Sequence, residues 1–173
     1  MMNLLIDIGN SSAKVAISEN KKIIEDFRFA ELDTDKILDI INEYKIQNSA
    51  LSNVSKNNKK LKNILIETTS FYSFSNEIRI PFNCPYKLTD VGDDRLALMA
   101  AAHYDFPTEN VLVIDMGTCI TYDIKTSNNN YKAGGISPGL RMRIKSISDG
   151  AFKLNEITPA YPESLIASDT KSS

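Results

Sequence analysis

The chain is poor in cysteine, with only Cys84 and Cys119 among 173 residues. Two isolated thiols exclude a disulfide framework and a cysteine metal knuckle, and they suit a reducing cytoplasm. The single histidine, His103, stands late in a helical stretch, where it fits a surface or helix C-terminal position better than catalysis. No apolar run is long enough to span a bilayer. The N-terminus has no basic region, and Asp7 interrupts its first apolar run, which argues against a secretion signal. Neither sign of charge dominates. A net charge of −2 gives no footprint for nucleic acid or an acidic membrane surface.

What is present is an ordinary globular balance, 42% hydrophobic and 24% charged. The length allows one domain, or two small ones sharing a cleft. Residues 3–8 and 12–18 read as strands joined by a tight Gly9-Asn10 turn. Leu4, Leu5 and Ile6 read as buried on both faces, so that Asp7 carries a carboxylate into the core. Residues 22–30 offer a third strand. Asp33-Thr34 caps a helix with the stripe Ile37, Leu38, Ile41 and Tyr44. A fourth strand is expected at 49–54, then a helix over 56–67 with Leu61, Ile64 and Leu65 inward. The segment 69–89 is aromatic and broken by proline, with a strand expected at 77–81. Asp90 and Gly92 introduce an amphipathic helix, and Pro107 with the polar residues after it makes a connection.

The chain then restarts. "VLVIDMGTCITYDI" (111–124) laid on "LLIDIGNSSAKVAI" matches Asp7 with Asp115, Gly9 with Gly117 and Asn10 with Thr118. Residues 128–140 supply a hairpin turn, a strand and a Gly/Pro loop, and a helix with Arg141, Arg143 and Lys145 on a solvated face follows.

A buried acid without a partner costs several kcal/mol, so repeating it at two strand ends argues for a shared ligand. A divalent metal carried by phosphates fits, because Mg²⁺ prefers carboxylate oxygens and shares its coordination with phosphate. Glycine in each turn lets backbone N–H groups approach phosphate oxygens. Asn10, Ser11, Ser12 and Thr118 add side-chain donors. Simple Asp-x-Gly turns are common, and it is the repeat that lifts these two above that background. In "VGDDRLALMAAAH", Asp93, Asp94 and Arg95 crowd a helix start. Such acids can be mere N-terminal capping. One of them can also accept a hydroxyl proton during phosphoryl transfer, and Arg95 can bind a carboxylate or phosphate bidentately. "AGGISPG" brings Gly134, Gly135 and Gly139 around Pro138, which suits either a tight turn or backbone lying close to a ligand.

These four elements in this order resemble type III pantothenate kinases, of the superfamily that joins sugar kinases and actin-like ATPases. The resembling motifs are Asp7-Ile8-Gly9-Asn10-Ser11, Gly92-Asp93-Asp94-Arg95, Asp115-Met116-Gly117-Thr118 and Ala133-Gly134-Gly135-Ile136-Ser137-Pro138-Gly139. The resemblance implies an α/β fold of two RNase H-like, actin-like ATPase domains with mixed central sheets, divided as 1–107 and 108–173. It implies phosphorylation of pantothenate by ATP at the 4′-hydroxyl, the first step of coenzyme A synthesis. Asp94 would be the catalytic base, with Gly92, Arg95, Tyr86 and Thr170 holding pantothenate. Asp7, Gly9, Asn10, Ser11, Lys14, Gly117, Thr118, Gly134, Gly135 and Gly139 would meet ATP. Asp7 would stand near Mg²⁺, and Asp115 near a monovalent cation, K⁺ or NH₄⁺. A cytoplasmic homodimer is implied, Thr170 completing the neighbour's pocket. The second domain is expected to be C-terminally truncated, leaving an open sheet edge and exposed apolar surface. The alternatives are another phosphotransferase or phosphatase of the superfamily, or a nucleotide-binding regulator without catalysis.

Overall fold

The computed structural model describes residues 1–10, 12–53, 58–73 and 79–150. Ser11, Thr170 and the first two residues of the strand expected at 77–81 lie outside them.

The first sheet has the order β3-β2-β1-β4-β5. Strands β1 (Met2–Ile8), β2 (Ala13–Glu19) and β3 (Lys22–Phe29) form an antiparallel meander. Strands β4 (Asn48–Asn53) and β5 (Ser70–Ser73) add to β1 in parallel. The two parallel steps need crossovers, and these are α1 (Thr34–Glu43) and α2 (Lys59–Thr68). The Asp33 side chain caps α1 by accepting from the Asp35 N–H at 3.0 Å. Ile37, Ile40 and Ile41 face inward from α1, and Leu61 and Leu65 from α2. They close a core with Leu4, Ile6, Ile8, Val15, Ile17 and Leu51.

Three expectations are corrected here. Strand alternation sends Leu4, Ile6 and Ile8 into the core, and Leu5 and Asp7 to the other face. Leu5 is accordingly 40% exposed, so the run is buried on one face only, and Asp7 is not carried into the core. The α1 stripe runs through Ile40, while Leu38 and Tyr44 are only half-buried, because the helix turns its a/d/e-like spacing inward. The strand after α2 is β5, and Arg79 and Ile80 are irregular.

The second sheet has the order β6-β7-β8 and is antiparallel throughout. Its strands are Val111–Met116, Cys119–Lys125 and Tyr131–Pro138. Helix α3 (Asp93–Asp105) packs on β6 and β7 and also touches β4. Leu96 and Met99 of α3 meet Phe82, Val91 and Tyr131 in a second core, so this core draws on residues from both sides of position 107. The segment before α3 is tied to the β7–β8 turn through backbone bonds of Asn83 with Asn129 and Tyr131, at 2.8 and 2.9 Å. The opposite face of the second sheet carries exposed Leu112, Ile114, Met116 and Ile124. Helix α4 (Leu140–Gly150) follows, with Arg141, Arg143 and Lys145 exposed as expected.

Lys125 is fully buried on β7, yet its ammonium meets no carboxylate among the described residues. It donates to the carbonyls of Phe106, Pro107 and Glu109 at 2.7, 3.0 and 3.2 Å. Phe106 is the C-cap of α3, so the cation sits at the negative end of the helix dipole. Lys125→Met keeps the stem and removes the charge-assisted bonds. We expect it to lower stability by about 2 kcal/mol, read as a drop of about 4–8 °C in melting temperature.

Candidate active site

Asp7 ends β1 and stands opposite Lys14 across the β1–β2 pair. Its Oδ1 accepts from the Ser52 hydroxyl at 3.1 Å, and its Oδ2 lies 3.6 Å from Lys14 Nζ. The carboxylate remains about two-fifths exposed. The turn after it spans residues 9–12 and is closed by the Gly9 N–H donating to the Ser12 carbonyl at 3.1 Å, so the connection is longer than the Gly9-Asn10 pair. Asn10 is exposed in this turn.

The second copy is built the same way. Asp115, half-buried, lies near the end of β6 opposite Thr121, and Gly117 and Thr118 turn the chain into β7. Gly139 follows β8 and is buried against that turn, its N–H donating to the Thr118 carbonyl at 2.9 Å. The two loops of the sequence motifs therefore form one unit. Gly134 and Gly135 are not in a loop, however. They lie inside β8, where the register slips so that both oppose Tyr122. This is a β-bulge, and the sequence pattern of glycines around a proline did not distinguish it from a turn.

A glycine can be required by the protein itself or by something that approaches it. A Cβ on Gly134 would stand 2.2 Å from the Tyr122 carbonyl oxygen, and one on Gly139 would stand 2.3 and 2.4 Å from those of Gly117 and Thr118. These two are demanded internally. Among the described residues, a Cβ on Gly9 or Gly117 would meet nothing closer than 3.5 or 3.8 Å. The fold leaves room there, on the exposed side of both phosphate-type turns.

Gly92 is the N-cap of α3, without a side-chain cap, and Asp93 and Asp94 fill the first turn. Asp94 is half-buried, and its Oδ1 accepts from the Arg95 N–H at 2.8 Å. The Arg95 side chain does not hang free. Its Nε and Nη2 grip Asp123 of β7 at 2.8 and 2.5 Å. The Tyr131 hydroxyl donates to the same carboxylate at 2.9 Å. The arginine side chain is 12% exposed and the aspartate 3%. Bonding to Asp123 raises the Arg95 pKa above its already high ordinary value. Burial first, then the bond to Asp123, pushes the Tyr131 phenol well above its own. Tyr86 packs edge-on to Tyr131, with ring centres 5.6 Å apart, and its hydroxyl accepts from the Ala133 N–H at 3.3 Å. Arg95 and Tyr86 thus meet at Asp123 and Tyr131, and Gly92 and Asp94 stand beside Arg95 at the start of α3.

Those last two were missed by sequence reasoning. The available signal was an acid and a lysine, Asp123 and Lys125, two residues apart inside an apolar strand and so on one face. His103, in the last turn of α3, meets Asn129 Oδ1 at 3.0 Å and joins the same packing. Among the described residues, no three of His, Cys, Asp and Glu converge as a metal cage.

The fold is mixed α/β, and the family match makes the chain a phosphotransferase. The family model for type III pantothenate kinase matches residues 3–173, and the chain belongs to that family. It is similar to type III pantothenate kinases of Christiangramia forsetii, at 38% identity over 99% of this chain and 72% of the relative, and of Phocaeicola vulgatus, at 35% over 94% and 70%. Among solved structures it resembles a conserved Campylobacter jejuni protein described as a candidate Baf family transcriptional activator. That match has TM-score 0.55 and 30% identity, covering 98% of this chain and 70% of the other.

Two outcomes are expected from this geometry. Gly139→Ala should lose about 1–3 kcal/mol in chemical denaturation, whereas Gly9→Ala should stay within about 0.5 kcal/mol of the parent. The raised Tyr131 phenol stabilises the fold fully below the unfolded value of about pH 10, and that contribution is lost as pH climbs through the higher folded value. Stability measured against pH should therefore fall above about pH 10, and fall less steeply in Tyr131→Phe.

Proposed function

We propose that this chain transfers the γ-phosphoryl group of ATP to the 4′-hydroxyl of pantothenate, the first step of coenzyme A synthesis. The observation that carries this is the family match across residues 3–173, which spans all four motifs.

In this reading Asp94 orients the pantothenate hydroxyl and takes its proton as the oxygen attacks the γ-phosphorus and ADP leaves. Its position in the first turn of α3 sets the carboxylate beside the positive end of the helix dipole. Gly92, Arg95 and Tyr86 hold the rest of the acceptor. The turn carrying Asp7, Gly9, Asn10 and Ser11 receives the ATP phosphates, with Lys14 as a counter-charge. Gly117, Thr118 and Gly139, with Gly134 and Gly135 of the adjoining strand β8, face the nucleotide from the other side. The space beside Gly9 and Gly117 supports a close backbone approach to phosphate.

The residues present fit a magnesium ion at Asp7. A half-exposed carboxylate at a strand end is the kind of single anchor that Mg²⁺ accepts when phosphates and water complete its shell. When bound, that ion offsets charge on the transferring group. Asp115, whose carboxylate is half-buried, is assigned to a monovalent cation, K⁺ or NH₄⁺, by resemblance to the family's motif. The working form is proposed to be a cytoplasmic homodimer in which Thr170 of one chain completes the pocket of the other, with residues 1–107 and 108–173 forming the two walls of the cleft.

The test is ADP release with ATP and pantothenate, beside hexoses and polyphosphate as rival substrates, each with and without K⁺. Pantothenate should be the productive acceptor. Asp94→Asn should lower kcat by about a thousandfold while ATP affinity changes less than about twofold. Undiminished turnover in the variant removes Asp94 from the role, and turnover with another acceptor removes pantothenate.

A further inference from the structure

The guanidinium of Arg95 has five N–H donors in one plane. Asp123 takes two of them side-on, one from Nε and one from Nη2. The far edge, with one N–H on each terminal nitrogen, meets no acceptor among the described residues, and no side-chain nitrogen there is buried unpaired. Two parallel donors on a rigid edge match the two oxygens of a carboxylate. An arginine free in solvent would have to freeze a long side chain to offer that edge, which costs about 1–2 kcal/mol of rotamer entropy. Here the cost has been met in folding.

The anchor is itself well made. Asp123 Oδ1 accepts from both Arg95 and Tyr131, while Oδ2 accepts from Arg95 Nε. Tyr131 is buried, held between Phe82 and Tyr86 by edge-on contacts at 6.0 and 5.6 Å. The chain of contacts runs from two strands of the second sheet to the first turn of α3, one residue from Asp94.

We propose that Asp123 and Tyr131 are positioning residues for the acceptor pocket, holding Arg95 side-on so that its far edge forms a fixed two-donor fork for the carboxylate of pantothenate. This rests on the proposed function above, in which Arg95 holds that acceptor.

The experiment is pantothenate binding to the full chain by calorimetry, with ATP binding measured in parallel and folding checked by circular dichroism. Tyr131→Phe keeps the ring packing and Asp123→Asn keeps the shape of the anchor. Each should weaken pantothenate about three- to tenfold, a loss of one charge-assisted bond, and leave ATP affinity within about twofold. In an Arg95→Lys background, which has no fork to position, Tyr131→Phe should add nothing further. Full pantothenate affinity in folded Tyr131→Phe and Asp123→Asn overturns the proposal. So does an equal loss of ATP and pantothenate affinity, or an additive loss on top of Arg95→Lys, since either is what general damage to the core would give. A parent chain that binds ATP but no pantothenate overturns the functional reading and the fork with it, and the parent measurement separates that failure from failure of the fork alone.

Discussion

Two side chains on one face of β7 fix the position of α3, and the candidate site depends on that position. Asp123 holds the start of the helix through Arg95, and Lys125 holds its end through three backbone carbonyls. Apolar packing by Leu96 and Met99 brings the helix onto the sheet, but dispersion and burial are non-directional and would tolerate sliding along the strand. The two polar anchors remove that freedom. They also solve a cost: a buried acid and a buried lysine, each isolated, would both be unfavourable. They are not paired with each other. Each is matched to the end of the helix that carries the complementary groups, so the helix serves as the common partner.

Much of the framework was legible in the sequence. The hairpins, the two crossover helices and the Ala-rich helix followed from periodicity and caps such as Asp33. The recurrence of Asp-x-Gly at 7 and 115 pointed to two similar strand–turn–strand units, and both are present. Less legible was anything set by the sheet's third dimension. Leu5 belongs to a continuous apolar run, and only the placement of both crossover helices on one side decides that it stays exposed. The arginine's engagement with Asp123 depends on a contact across 28 residues, which no local pattern carries. The glycine pair at 134–135 was read as loop because glycine and proline punctuate loops and bulges alike.

The glycines of the motifs separate into two physical kinds. Gly134 and Gly139 are wedged against neighbouring backbone, so their lack of a side chain serves the packing of the second sheet and its turn. At Gly9 and Gly117 a Cβ would make only ordinary contacts with the described residues, so their packing there does not demand glycine. A motif whose letters look uniform therefore mixes residues that build the site with residues that leave it vacant.

The bulge at Gly134 and Gly135 has a consequence for how β8 can vary. Before it, Tyr131 and Ala133 share the face turned toward α3, opposite Lys125 and Asp123; after it, Ile136 stands opposite Thr121 on that same face. Ala133 and Ile136 are three positions apart, an odd step, so the inserted residue reverses the parity of the strand. The two ends of β8 are thereby governed by independent alternations. One keeps Tyr131 beneath the arginine anchor, and the other delivers Pro138 and Gly139 to the Gly117–Thr118 turn. The strand behaves as two short rulers joined out of step, and removing one residue at the joint would take out the bulge and set both ends on a single alternation.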